Sequence, residues 1–89
     1  MPILVLLGGI KLSMYPESGA KHKMIHLHAN YGEFDAVYAI DGTKIEGQMP
    51  KAQNRKIKAW IRKNTNYIER EWEKGMRGDH IDRLPTGDE

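Results

Sequence analysis

Beyond an opening apolar run, hydrophobic residues in this chain recur at a spacing of two up to about Gln48 and at spacings of three and four after Pro50. That one change of period limits the fold more than any other feature. Successive residues of a strand point to opposite faces, whereas residues three and four apart share one face of a helix. Ile3 to Leu7 is apolar throughout and of strand length, and Gly8-Gly9 punctuates it. Ile10, Leu12 and Met14 then alternate with polar neighbours, as do Ile25, Leu27 and Ala29, and after them Phe34, Ala36, Tyr38 and Ile40. Tyr31-Gly32 and Asp41-Gly42 are tight-turn signals, the second a strong two-residue hairpin signal leading into Thr43 to Gln48. Short connections force antiparallel pairing.

Pro50 suits the first position of a helix. Ile57, Trp60, Ile61, Asn64, Ile68, Trp72 and Met76 form a long apolar stripe after it, with Asn64-Thr65-Asn66 as a weak spot where the helix divides. Gly75 and Gly78 end it, and Ile81 and Leu84 dock as a short extended segment. The expected class is α+β: an antiparallel sheet of four to five short strands, then one long or two shorter C-terminal amphipathic helices packed on one face. Eighty-nine residues leave no room for a second core, so residues 1–84 are expected as a single domain with a flexible tail at 85–89.

Apolar residues make up 39% of the chain, enough for one core, and much of the packing area falls to Trp60, Trp72, Tyr15, Tyr31, Tyr38, Tyr67 and Phe34. The absence of cysteine excludes disulfides, thiolate metal sites and thiol nucleophiles together. Ile3–Leu7 is too short to cross a bilayer and no cationic segment precedes it, so it reads as a strand rather than a signal. A cytoplasmic protein with no membrane partner is expected, as a monomer or small homo-oligomer.

The net charge of +2 argues little, but its distribution argues more. No acid occurs between Gly47 and Ile68, while Lys51, Arg55, Lys56, Lys58, Arg62 and Lys63 all fall there. Glu69, Glu71, Glu73, Asp79, Asp82, Asp88 and Glu89 then turn the chain acidic, a change of sign that reads as a polarised surface. Lys51, Arg55, Lys58 and Arg62 are four, three and four apart, which puts them within roughly 60° of one another on a helix, well away from the apolar stripe. Aligned cations repel by a few tenths of a kcal/mol per close pair. Such a stripe is either an ordinary solvated face or a dock for RNA phosphates or an acidic protein.

His26 and His28 share one strand face, joined by His22 if the chain is already extended there. Glu33 and Asp35 lie across the Tyr31-Gly32 turn. Imidazoles opposite carboxylates serve as a solvated polar face, as a proton-transfer or anion-binding site, or as a metal site with His22 or Asp35 as third ligand. His80 reads as a surface residue.

His22, His26-Leu27-His28-Ala29, Tyr31-Gly32-Glu33, Ile40-Asp41-Gly42, Ile45, Gly47, Pro50, Trp60 and Trp72, in that order, resemble the prokaryotic domain-of-unknown-function 4160 family. The resemblance runs from about Ile10 to Leu84. The family pattern is Asp-His-x-Pro-Pro-His-x-His-Ala, then Tyr-Gly, then Gly-x-x-Pro before a helix with two spaced Trp. Here Lys21 stands where the acid is expected, and Met24-Ile25 where the two prolines are. The family has no established activity. The resemblance implies a small soluble protein encoded beside a second small gene, in the manner of a toxin–antitoxin pair.

These readings lead to a nucleic-acid-directed protein, with the helix stripe on phosphate and His22, His26 and His28 as the working site. RNA cleavage by such a site needs no cofactor: one imidazole is base, another acid, and Lys11, Lys21 or Lys23 stabilises the phosphorane. The rival is a non-catalytic module whose stripe binds a small acidic protein encoded nearby. A third alternative is a divalent-metal protein.

Overall fold

A computed structural model describes residues 3–14 and 25–79. Tyr15, Lys21, His22, Lys23, His80, Ile81, Leu84 and the tail at 85–89 lie outside the described residues. Among the described residues, strands β1 (Ile3–Leu7), β2 (Ile10–Ser13), β3 (His26–Tyr31), β4 (Phe34–Ala39) and β5 (Lys44–Gly47) precede helices α1 (Lys51–Lys63) and α2 (Thr65–Met76). The strands form one sheet in the order β1-β2-β3-β4-β5, every pair antiparallel. The fold is α+β, with a five-stranded antiparallel sheet followed by two helices.

Turn chemistry explains the connections. Gly8 and Gly9 both have positive φ, +45° and +86°, which the tightest hairpin turn requires of its two central residues. Gly32, at φ +58°, opens the two-residue turn between Tyr31 and its partner Phe34. At Asp41-Gly42 the hairpin forms as expected, but its loop is wider than two residues. Ala39 N–H donates to Thr43 O at 2.8 Å, and Gly42 N–H to Ala39 O at 2.9 Å. Asp41 keeps a negative φ, so the two-residue geometry is closed to it; its carboxylate instead accepts from Thr43 N–H at 2.8 Å.

Register sorts the side chains by face. Leu12, Ala29 and Ala36 lie opposite one another, and Leu27 lies opposite Tyr38. All five are buried. Tyr38 O–H donates to Asn54 Oδ1 of α1 at 2.5 Å, so this is the face that α1 covers. Ile57, Trp60 and Ile61 of α1 and Ile68 and Trp72 of α2 complete the core. Burying a side chain such as Ile61 contributes roughly 1.5–3 kcal/mol.

Pro50 stands one position before the helix, as its N-cap, rather than inside it. The break falls at Asn64 (φ −120°, ψ 25°), where Asn64 Nδ2 donates to Trp60 O at 2.8 Å and Thr65 Oγ1 to Ile61 O at 3.1 Å. Polar side chains that bond back to the preceding turn compete with the helical ladder, which accounts for a bend at this place. Gly75 sits inside α2, and Gly78 (φ +84°) follows the helix end. Glu71, read from the sequence as part of an acidic surface, is buried, with Lys74 Nζ 3.0 Å from Oε1.

Candidate functional site

The face of the sheet turned away from α1 is polar, and its residues come from four neighbouring strands. Ser13, His28, Val37 and Glu46 form one cross-strand row, and Lys11, Asn30 and Asp35 the next. Lys11, His28, Asn30, Asp35, Val37 and Glu46 line an open groove of about 470 Å³. Asn30 Nδ2 donates to Asp35 Oδ1 across the β3–β4 pair, tying the groove floor together.

Alternation along β3 sends His26 and His28 to the same side, and their ring centroids are 5.4 Å apart at an interplanar angle of 63°. His26 also meets Trp72 of α2 edge-on, at 5.4 Å and 62°. One imidazole of the pair therefore packs on a core tryptophan while the other lines the groove. Burial, followed by the neighbouring His26, pushes the His28 pKa below the ordinary histidine value of 6.5, against an opposing pull from Glu46. At neutral pH His28 is an uncharged imidazole and a ready proton acceptor.

That shift has a sign in stability. The unfolded chain protonates His28 more readily than the native one, so its contribution is complete above about pH 6.5 and is lost as pH falls below that value. Urea midpoints at pH 7.5 and 5.5 should show a smaller acid-side loss for His28→Gln than for the parent. Equal losses in both would assign the acid sensitivity to other groups.

Of the remaining expected site residues, His22 lies outside the described residues. Asp35 reaches the groove, whereas Glu33 falls in the exposed β3–β4 turn. Among the described residues no three His, Asp or Glu side chains gather where a metal ion would be held. Glu46 and Asn30 are groove residues that the sequence reasoning did not single out. Asn30 was legible, being two residues from His28 on the same face. Glu46 was not, because a register irregularity between Val37 and Tyr38 decides which way β5 turns its side chains.

The basic stripe forms on α1, with Lys51, Arg55 and Arg62 exposed. Lys58 departs from the expectation of a solvent-facing row. It is half-buried, because on the helical wheel it lies only about 40° from Asn54, which touches the sheet. A Cβ added to Gly42 would stand 3.5 Å from Arg62 Nε and 3.8 Å from Lys58 Cβ, so these two side chains rest against the β4–β5 turn. Asp41 in that turn is held below the ordinary carboxylate range, by its bonds from Thr43 and, less strongly, by Arg62. Since α1 covers the Tyr38 face and His28 projects from the other, the stripe and the histidine groove are two separate surfaces.

Among the described residues no helix is long and apolar enough to cross a membrane. No curated protein and no solved structure matches the chain. Residues 9–73, from the β1–β2 turn into α2, match the family model described as domain of unknown function (DUF4160), and the chain belongs to that family.

Proposed function

We propose that this chain acts on RNA as the toxin-like member of a prokaryotic two-gene module, through the histidine pair of β3. The observation that carries the reading is the 5.4 Å approach of the His26 and His28 rings, with His28 beside Lys11 in an open groove. Uncharged His28 takes the proton from a ribose 2′-hydroxyl, and the freed oxygen attacks the adjacent phosphorus. His26 gives a proton to the departing 5′-oxygen, leaving a 2′,3′-cyclic phosphate and a 5′-hydroxyl. The Lys11 ammonium stabilises the charge that builds on the phosphorane.

A general acid or base contributes typically about 10²–10⁴-fold to rate. Replacing His26 and His28 together with Ala should therefore abolish growth inhibition on expression and reduce cleavage of a labelled RNA at least 100-fold. Circular dichroism reports whether the variant folds, and His28→Gln, which leaves the His26–Trp72 contact in place, should show the same loss. A folded double variant as active as the parent removes the reading.

A second reading is favoured by the separation of the two surfaces: the α1 stripe serves as a non-catalytic dock for a small acidic protein encoded nearby. Charge reversal at Arg55 and Arg62 should then break co-purification with that partner, and a complex that survives the reversal counts against it.

A further inference from the structure

We infer that the outer edge of β5 and the basic stripe of α1 form one binding surface, which takes an extended acidic segment of a protein partner as a sixth strand of the sheet. This inference rests on the reading of the stripe as a partner dock, and it specifies how the partner is held. β5 ends the strand order, and among the described residues it pairs with β4 alone. All four of its residues are exposed, and Ile45, 49% exposed, is the large apolar side chain left on the surface among the described residues. An edge strand carries a row of backbone donors and acceptors ready to pair with another chain.

The stripe runs beside that edge. The chain leaves β5 at Gly47, enters α1 at Lys51, and brings Lys58 and Arg62 back against Gly42, just before β5 begins. From Lys51 to Arg62 the helix rises about 16 Å, against about 10 Å from Lys44 to Gly47 along β5. The two elements are therefore antiparallel, and the stripe is long enough to flank the whole strand. A strand added about 4.8 Å beyond β5 would turn one of its faces towards Lys51, Arg55, Lys58 and Arg62. Acidic residues at alternate positions would meet those cations, while the exposed Ile45 offers an apolar contact at the edge.

The same features disfavour a second copy of this chain as occupant. Pairing two β5 edges about a twofold axis would bring two basic stripes together on one side of the joined sheet, with like charges opposed. The register irregularity and Lys44 further blunt the edge against its own kind. An acidic strand reverses the first of these effects.

The probe is a labelled eight-residue peptide of alternating Val and Glu, measured by fluorescence anisotropy at low salt. Its Val/Lys counterpart and a short single-stranded RNA serve as comparisons. The Val/Glu peptide should bind and shift the amide signals of Lys44–Gly47, the Val/Lys peptide should not bind, and Arg55→Glu with Arg62→Glu should weaken binding at least tenfold. Of two peptides N-methylated on opposite sets of alternate residues, one should lose binding and the other keep it, since a strand pairs through one edge only. If both methylated peptides bind as well as the parent while charge reversal still abolishes binding, strand addition is wrong and the acidic-partner reading stands. If the Val/Glu peptide fails to bind, or binds the reversed variant equally, both fall. RNA that displaces the peptide from the stripe would reassign the surface to nucleic acid.

Discussion

Gly47→Ala should destabilise the protein by about 3 kcal/mol or more. Gly47 has φ +91°, a backbone region that a side chain makes costly in itself. The added Cβ would also stand 2.7 Å from Ala36 Cα, and closer still to the carbonyl oxygen of Asp35. Both obstacles are backbone of β4, so no side chain can swing aside. Relief requires β5 to move away from β4, which loosens the Ala36–Gly47 pairing and the bond from Gln48 N–H to Asp35 O at 3.0 Å. Small domains are stable by only about 5–15 kcal/mol, so the urea midpoint should fall steeply. Gly32→Ala makes a control, because a Cβ there meets nothing within 4 Å, and it should cost only the strain of its positive φ. Equal midpoints for the two variants would show that the close approach at Gly47 relaxes at little cost.

Trp72→Ala is expected to cost about 3–5 kcal/mol, in the range of large-to-small changes at buried aromatic sites. Trp72 is only 6% exposed and belongs to the core cluster of sheet and helices. Its ring also forms one wall of the His26 environment. Thermal or urea unfolding gives the stability effect. Histidine ring signals of the folded fraction should move for His26 more than for His28, whose surroundings are the groove rows. Trp72→Phe preserves an aromatic contact and should recover much of the loss; a Phe variant no more stable than the Ala variant would show that bulk at position 72 matters little.

The strands and the division of the helices were legible because both rest on period and on turn chemistry. Leu27 and Ala29 alternate with His26 and His28, and the structure buries the first two while leaving the imidazoles half-exposed. Asn64-Thr65-Asn66 marked the bend because short polar side chains compete locally for backbone partners. What escaped sequence reasoning depends on contacts between distant segments. A bulge in the β4–β5 pair sets the direction of Glu46. Glu71 reads as surface by residue type, yet position 71 follows Ile68 by three on the inward side of α2, and Lys74 supplies the countercharge. Lys58 lost part of its exposure to a turn contributed by the preceding hairpin. For the candidate site, the shared side of His26 and His28 followed from alternation, while the separation of that side from α1 required knowing which sheet face the helix covers.

Because each strand lies next to its successor, sheet assembly closes only short loops, apart from the β2–β3 connection. Loops of that kind cost little entropy, and topologies dominated by near neighbours fold fast. The hairpins can thus zip together early, with imidazole 26 still open on one flank. Only the arrival of the second helix, from far along the chain, supplies the indole that closes it. The histidine neighbourhood is therefore finished last, and conditions that undock that helix should disturb it before the sheet itself gives way.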